Sequence, residues 1–372
     1  MKKTLLLFLT LLIFVFAVPV GAAEIQTGAQ SAVLIDAKNG EILYGKNENA
    51  RRGMASTTKI MTAIVVLERI PTDTVVRVAP QACGIEGSSV YLTAGESITI
   101  ETLLYALMLQ SANDAAAALA YAVSGSMESF VELMNEKAEE LGLRNTHFDN
   151  PHGLDGDTHY TTAYELALIS AYALKNDRFR EIVSTVKRTV PLHDGTATRL
   201  LVNHNRLLRD YDDIIGVKTG YTRACGRTLV SAAERDGIRL ICVTLNDGND
   251  WADHRALLDH GFSAYETRML ADVGEFSCSV AVCGGERDAV TVANAEALSL
   301  PLPVSCEDVL CVTELPRFLY GGVRAGQTVG HVRFFRNGEE IGSVALVCEQ
   351  SVPVRREKRN IFRIWIERFF SA

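Results

Sequence analysis

The sequence predicts an α+β unit followed by a small all-β unit, and three observations carry that prediction. β-rich runs open and close the first two-thirds of the chain, with helical periodicity between them. From about residue 270 the helical periodicity fades and alternating strands take over. The 372 residues are long for one domain, and an apolar content of 48% is ample for two packed cores.

The elements follow in order. Lys2 and Lys3, an apolar run over 5–18 and the small residues Gly21, Ala22 and Ala23 read as a secretion signal over residues 1–23. Residues 32–36 and 41–44 are β-rich and flank Asn39-Gly40, a hairpin signal. Ser56 heads an apolar helical stretch through Leu67. Thr99 is a natural cap for a helix through Met108. Further helices are expected from Asp114, over 128–141 and over 162–174. Residues 228–233 and 239–245 read as strands joined at Asp236-Gly237, followed by a helix over 253–265. Asn337-Gly338 marks a later hairpin between 330–335 and 341–347.

These elements divide the mature chain into an α+β unit over 24–268, a β unit over 269–352 and a tail over 353–372. The tail begins with Arg355, Arg356, Lys358 and Arg359 and continues through Ile361, Phe362, Ile364, Trp365, Ile366, Phe369 and Phe370. On a helix most of the apolar residues share one broad face. It is too short and too charged to span a bilayer, and fits an anchor lying on a membrane surface.

A net charge of −8 argues against a nucleic-acid partner. Eight cysteines in an exported chain invite disulfides, and the repeated C-x4-C spacing invites zinc. Segments such as 278–283 instead read as strands carrying small, unpaired, buried thiols. No metal or cofactor is expected.

Three short motifs carry the chemistry. In Ser56-Thr57-Thr58-Lys59 a helix puts the hydroxyl and the amine on one face. A serine becomes a nucleophile when a base takes its proton, and a lysine serves as base once burial or a nearby cation lowers its pKa. Ser111-Ala112-Asn113 supplies a second hydroxyl and an amide between two helices, and Lys218-Thr219-Gly220 a cation beside a hydroxyl. At Gly220 a substrate backbone could approach closely. Ser184-Thr185-Val186-Lys187 repeats the first pattern but lacks its partners, so it reads as a surface decoy.

With Asn150-Pro-His-Gly-Leu-Asp155, His159-Tyr-Thr-Thr-Ala-Tyr164 and Gly216-Val-Lys-Thr-Gly-Tyr-Thr222, the motifs resemble the D-alanyl-D-alanine carboxypeptidases, the low-molecular-weight penicillin-binding proteins. The resemblance implies a β-lactamase/DD-peptidase-like catalytic fold, an antiparallel sheet with a helical subdomain. It implies that Ser56 attacks the D-Ala-D-Ala bond of a peptidoglycan stem pentapeptide, with Lys59 as base and Ser111 relaying a proton. Asn113, Lys218, Thr219, Gly220 and Tyr221 then bind substrate, and the Ser56 and Tyr221 amides hold the oxyanion. β-Lactams are expected to trap Ser56. The implied place of action is the wall space at the outer face of the cytoplasmic membrane. Ala112 stands where many relatives carry glycine.

Three alternatives are weighed. A class A β-lactamase needs a glutamate for deacylation; Glu165 lies in an apolar-periodic helix and reads as a surface residue of it. A metallopeptidase would use the cluster His152, Asp155, Asp157 and His159, which lacks the H-E-x-x-H pattern and reads as a turn-rich loop at the cleft. A catalytically silent wall scaffold is disfavoured by the intact motifs.

Overall fold

A computed structural model describes residues 25–192, 194–306 and 308–356. The expected leader, and the expected tail from residue 357 onward, lie outside the described residues. No helix among the described residues is long and apolar enough to cross a membrane.

The first hairpin is β1 (Ser31–Asp36) with β2 (Ile42–Lys46). The chain then leaves the sheet through α1 (Lys59–Arg69), the short pair β3 (Val75–Arg77) and β4 (Ser97–Thr99), and α2 (Ile100–Leu109). Next come α3 (Asn113–Ser124), α4 (Met127–Glu140), α5 (Ala163–Ala173) and α6 (Asp177–Ser184). A hairpin of β5 (Lys187–Leu192) and β6 (Ala197–Val202) and the single turn α7 (Leu207–Asp210) complete the insertion. The chain returns as β7 (Ile214–Thr222), β8 (Gly226–Arg235) and β9 (Ile238–Leu245), then α8 (Asp250–Ser263).

The main sheet has the order β2-β1-β9-β8-β7 and is antiparallel throughout. Side chains alternate across a strand, so each central strand feeds two cores. Val33, Ile35, Val230, Ile241 and Val243 enter the large core shared with α1 to α6. Leu34, Leu229, Leu240 and Cys242 face the other way, onto Leu257, Leu258 and Phe262 of α8. Each fully buried aliphatic side chain of this kind contributes roughly 1.5–3 kcal/mol relative to exposure. The helix starts are fixed by side chains: Thr99, Ser126 and Thr162 accept from the amides of Thr102, Ser129 and Glu165, and Asn176 accepts from two.

β10 (Tyr265–Ala271) pairs with β13 (Leu298–Pro303), so the expected boundary at 268/269 falls within a strand. β11 (Ser277–Cys283), β12 (Ala289–Asn294), β14 (Leu310–Glu314), β15 (Phe318–Tyr320), β16 (Thr328–Arg336) and β17 (Glu339–Cys348) form one sheet of order β14-β16-β17-β12-β11-β15. The two units touch where Tyr265 donates to Asp36 at 2.8 Å and Arg336 faces Glu41 at 3.7 Å.

All eight cysteines are unpaired, but the expectation of buried thiols fails for three of them: Cys278, Cys283 and Cys311 are exposed. β11 buries only Val280 and Val282, and β14 buries none of its residues, so a strand pattern there did not imply burial.

Candidate active site

Ser56 sits in a 3-10 turn, Ala55–Thr58, that runs directly into α1. The two threonines of the motif close the turn: Thr57 Oγ1 donates to Met54 O at 2.6 Å and Thr58 Oγ1 to Ala55 O at 2.8 Å. Ala55 itself is held at φ +47°, a conformation costly for a residue with a Cβ. Ser56 is half-buried, and its Oγ lies 3.0 Å from Lys59 Nζ.

Lys59 is fully buried at the first position of α1. Its amine also donates to Asn113 Oδ1 at 2.7 Å and to the carbonyl of His152. Burial, and then the nearby charge of Lys218, drive its pKa well below the ordinary lysine value, against an opposing pull from Asp114. Asn113 cannot turn away, because its Nδ2 donates to Glu86 O at 2.5 Å. Asp114 fastens the same loop, accepting from Ser89 Oγ at 2.6 Å and from the amides of Leu92 and Val90 at 3.0 and 3.2 Å.

Ser111 lies between α2 and α3 at φ +58°, and its buried hydroxyl has no hydrogen-bond partner among the described residues. A hydroxyl left so costs roughly 1–3 kcal/mol, which a bound group could recover. Ala112 adopts φ −64°, ψ 120°, so this turn does not demand a glycine.

The third motif is on β7. Lys218 is 1% exposed, and its Nζ donates to Thr219 O at 2.8 Å. Burial lowers its pKa to about 7. Gly220 is explained differently from the expectation. A Cβ there would lie 2.4 Å from Thr228 Oγ1 and 2.9 Å from the Ser56 amide nitrogen. The close approach that needs glycine is therefore made by the protein itself, β7 passing beside the Ser56 turn. Tyr221 is 65% exposed at the rim.

The Ser56 hydroxyl, the buried Lys59 amine with its lowered pKa, the Asn113 amide and the charge of Lys218 form one constellation. The profile of the D-alanyl-D-alanine carboxypeptidase family matches residues 18–249, and that of the penicillin-binding protein 5 C-terminal domain matches 265–354. The chain belongs to the D-alanyl-D-alanine carboxypeptidase family. It is 33% identical to the carboxypeptidase DacF of Bacillus subtilis, over 89% of this chain and 87% of that protein. It is 32% identical to DacA of Escherichia coli K12, over 88% and 84%. Among solved structures, penicillin binding protein 5 of Haemophilus influenzae aligns with a TM-score of 0.63 at 29% identity, covering 88% of this chain and 98% of that one. The Francisella tularensis DacD structure gives 0.62 at 28%, covering 90% and 95%. This membership favours the carboxypeptidase reading over the lactamase and the silent scaffold.

Other residues that support the family's motifs were not foreseen. His152 contributes its backbone oxygen to Lys59. His159 is buried under the 3-10 turn, with Nε2 2.7 Å from Thr58 Oγ1. Its Nδ1 accepts from the Asp149 amide at 2.9 Å, so the ring proton sits on Nε2 and points at the threonine. Gly153, at φ +88°, passes so close that a Cβ would meet Ala55 O at 2.0 Å. The 152–159 stretch thus props the Ser56 turn from below. The described residues contain no group of three or more His, Cys, Asp or Glu able to hold a metal.

Glu165 corrects the expectation of a surface helical residue. It is 8% exposed, and its carboxylate accepts from the amides of Arg144 and Asn145 at 2.9 Å and from Thr146 Oγ1 at 2.6 Å. It closes a turn far along the chain from the three motifs. Ser184 is exposed at the end of α6, with Lys187 on a separate strand, as a decoy would be. Cys225 is half-buried, its thiol 3.1 Å from Asp155 Oδ1 and pushed up in pKa by burial, which disfavours the thiolate.

Proposed function

We propose that Ser56 is the acylated nucleophile with which this chain removes the terminal D-alanine from peptidoglycan stem pentapeptides. The observation that carries the assignment is the 3.0 Å contact between Ser56 Oγ and a Lys59 amine whose pKa is driven far down. A neutral Lys59 takes the Ser56 proton as Oγ attacks the penultimate D-alanine carbonyl. The amides of Ser56 and Tyr221 receive the oxyanion; the absent Cβ at Gly220 keeps the Ser56 amide clear. The proton then passes through Ser111 Oγ to the departing amine as the peptide bond breaks. Asn113 orients the substrate amide, and Lys218 with Thr219 receives the terminal carboxylate. Water, deprotonated by the same base, releases the tetrapeptide and regenerates Ser56. A β-lactam offers a similar acyl group and carboxylate but no leaving group that departs, so it traps Ser56.

The catalytic unit over 24–268 and the β unit over 269–352 would work outside the cytoplasmic membrane, delivered by the leader over 1–23. The tail over 353–372 would lie on the membrane surface. Its basic start and its aromatic and aliphatic run support this placing. Mass spectrometry of a stem pentapeptide incubated with wild type and with Ser56→Ala tests the reaction and the nucleophile together. One alanine should be lost with wild type only. An unchanged peptide with folded wild type would refute the activity, and turnover by Ser56→Ala would refute the nucleophile. Rapid hydrolysis of penicillin, in place of a lasting acyl-enzyme, would revive the lactamase reading.

A further inference from the structure

β15 is an edge strand of the six-stranded sheet. Its Phe318 and Tyr320 are 45% and 73% exposed and meet edge to face at 5.4 Å. Backbone pairing places a third apolar side chain at the same end. Tyr320 pairs with Cys283, Gly321 N donates to Cys283 O at 2.8 Å, Arg355 N donates to Gly284 O at 2.8 Å, and Val354, 57% exposed, bridges to Gly285. Single exposed apolar residues need no explanation, but a contiguous group of large ones on one tip does.

Charge at this tip runs against the chain's overall −8. Arg287, Arg317, Arg324, Arg355 and Arg356 are all exposed there, against Glu286, Asp288 and Glu349, and Asp288 is already paired with Arg355 at 2.8 Å. The described residues end here, at Arg356, and the sequence that follows has the same character: Lys358, Arg359, Phe362, Trp365. The opposite end of the β16–β17 hairpin is the end that touches the catalytic unit, through Arg336 and Glu41. The nine residues of β16 hold the two ends about 26 Å apart, at roughly 3.3 Å per residue.

We propose that this tip is itself a lipid-contacting surface, resting on anionic headgroups beside the tail; the proposal depends on the membrane anchoring put forward above. Aromatic rings ringed by arginine suit the boundary between headgroups and acyl chains. A second protein copy suits it less. The three-residue β15 is too short for a stable intermolecular ladder, and three side chains fall well short of the roughly 800 Å² per partner of a standard interface. With two points of contact, the β unit is held at a defined angle, and the catalytic unit is carried off the bilayer surface.

The test is co-sedimentation of the full mature chain with phosphatidylcholine vesicles, with and without phosphatidylglycerol. It compares wild type, Phe318→Ser/Tyr320→Ser and Arg317→Gln/Arg324→Gln, with labelling by fluorescent penicillin reporting an intact fold. Wild type should bind the anionic vesicles. The aromatic pair variant should bind them about tenfold more weakly, and the arginine pair variant should lose affinity on anionic vesicles only, with labelling unchanged in both. Wild-type affinity in both variants would overturn the tip contact while leaving the anchoring reading intact. Failure of wild type to bind would overturn the anchoring and the tip contact together, without touching the peptidase assignment. A lipid-free dimer that the aromatic variant converts to monomer would reassign the patch to a second copy and also overturn it.

Discussion

Replacing Lys218 with methionine should make the protein more stable near neutral pH while abolishing penicillin labelling. Lys218 is 1% exposed, and burial holds its pKa at about 7 instead of the ordinary 10.5. In the native state the amine therefore loses its proton through about pH 7. In the unfolded chain it keeps the proton to about 10.5. Between those values the unfolded state binds more protons, so this group's contribution rises with pH, at about 1.4 kcal/mol per pH unit. Over the whole window this amounts to about 5 kcal/mol, the amount by which carrying the ammonium penalises the fold at pH 7 and below. Methionine keeps most of the buried apolar stem and loses the bond to Thr219 O, worth about 1 kcal/mol. The expected gain at pH 6 is thus a few kcal/mol. Removing the Lys218 charge also relieves Lys59, whose pKa that charge lowers, so the coupled term has the same sign. Urea denaturation at pH 6, 7, 8 and 9 reads the result. The variant's advantage should be flat below about pH 7 and shrink steadily above it. A destabilised variant whose difference from wild type does not change with pH would refute the argument, because it would mean that Lys218 is not held against its own charge.

The remaining expectations concern the surroundings of Ser56. Gly220→Ala puts a Cβ 2.9 Å from the Ser56 amide and 2.4 Å from Thr228 Oγ1; penicillin acylation should slow by at least about a hundredfold, the usual order for a damaged oxyanion site, and an unchanged acylation rate measured by stopped flow would separate that amide from the reaction. Glu165→Gln should cost about 1–3 kcal/mol in thermal denaturation by weakening the 144–146 turn, yet leave the lifetime of the penicilloyl enzyme unchanged; an acyl-enzyme made longer-lived would mean that Glu165 activates water after all. His152, His159 and His254 are held neutral by burial, with pKa values of about 3, 4 and 3. The unfolded state therefore binds more protons than the native one below about pH 6.5, and stability should fall as pH drops from there toward 4, at roughly 4 kcal/mol per pH unit with all three engaged. A flat stability curve over that range would show that these rings are already solvated in the folded protein.

Local chemistry explains what was legible in the sequence. The Asn39-Gly40 and Asn337-Gly338 turns, the Thr99 cap and the i, i+3 geometry of Ser56 and Lys59 each depend on a few neighbouring residues, and each appears where its pattern placed it. The site's long-range supports were not legible. Nothing near Lys59 in the sequence points to the carbonyl of His152, and Thr58 meets His159 across 101 residues. The β5–β6 hairpin was missed because most of its residues are exposed, which removes the apolar alternation that marks a half-buried strand. Glu165 was misplaced for a related reason: a carboxylate inside a helix reads as surface until the 144–146 turn supplies donors that satisfy it.

Several of the places where the chain departs from what a stable fold prefers lie beside the serine. Two non-glycine residues with positive φ, Ala55 and Ser111, flank the site, the Ser111 hydroxyl is buried without a partner, and two lysines are buried within reach of each other's charge. Each departure costs on the order of 1–3 kcal/mol or more, and none serves packing. What holds them is the large core that fixes α1, α2 and α3, together with the clasp of Asp114 and Asn113 on the 86–92 loop. Relaxing any one of them would cost reactivity. A solvated Lys218 would no longer depress Lys59, a protonated Lys59 could not take the Ser56 proton, and a Ser111 hydroxyl committed to a protein acceptor would point its proton away from the substrate amine. The instability of this corner is therefore part of the mechanism, and the rest of the catalytic unit supplies the stability that allows it.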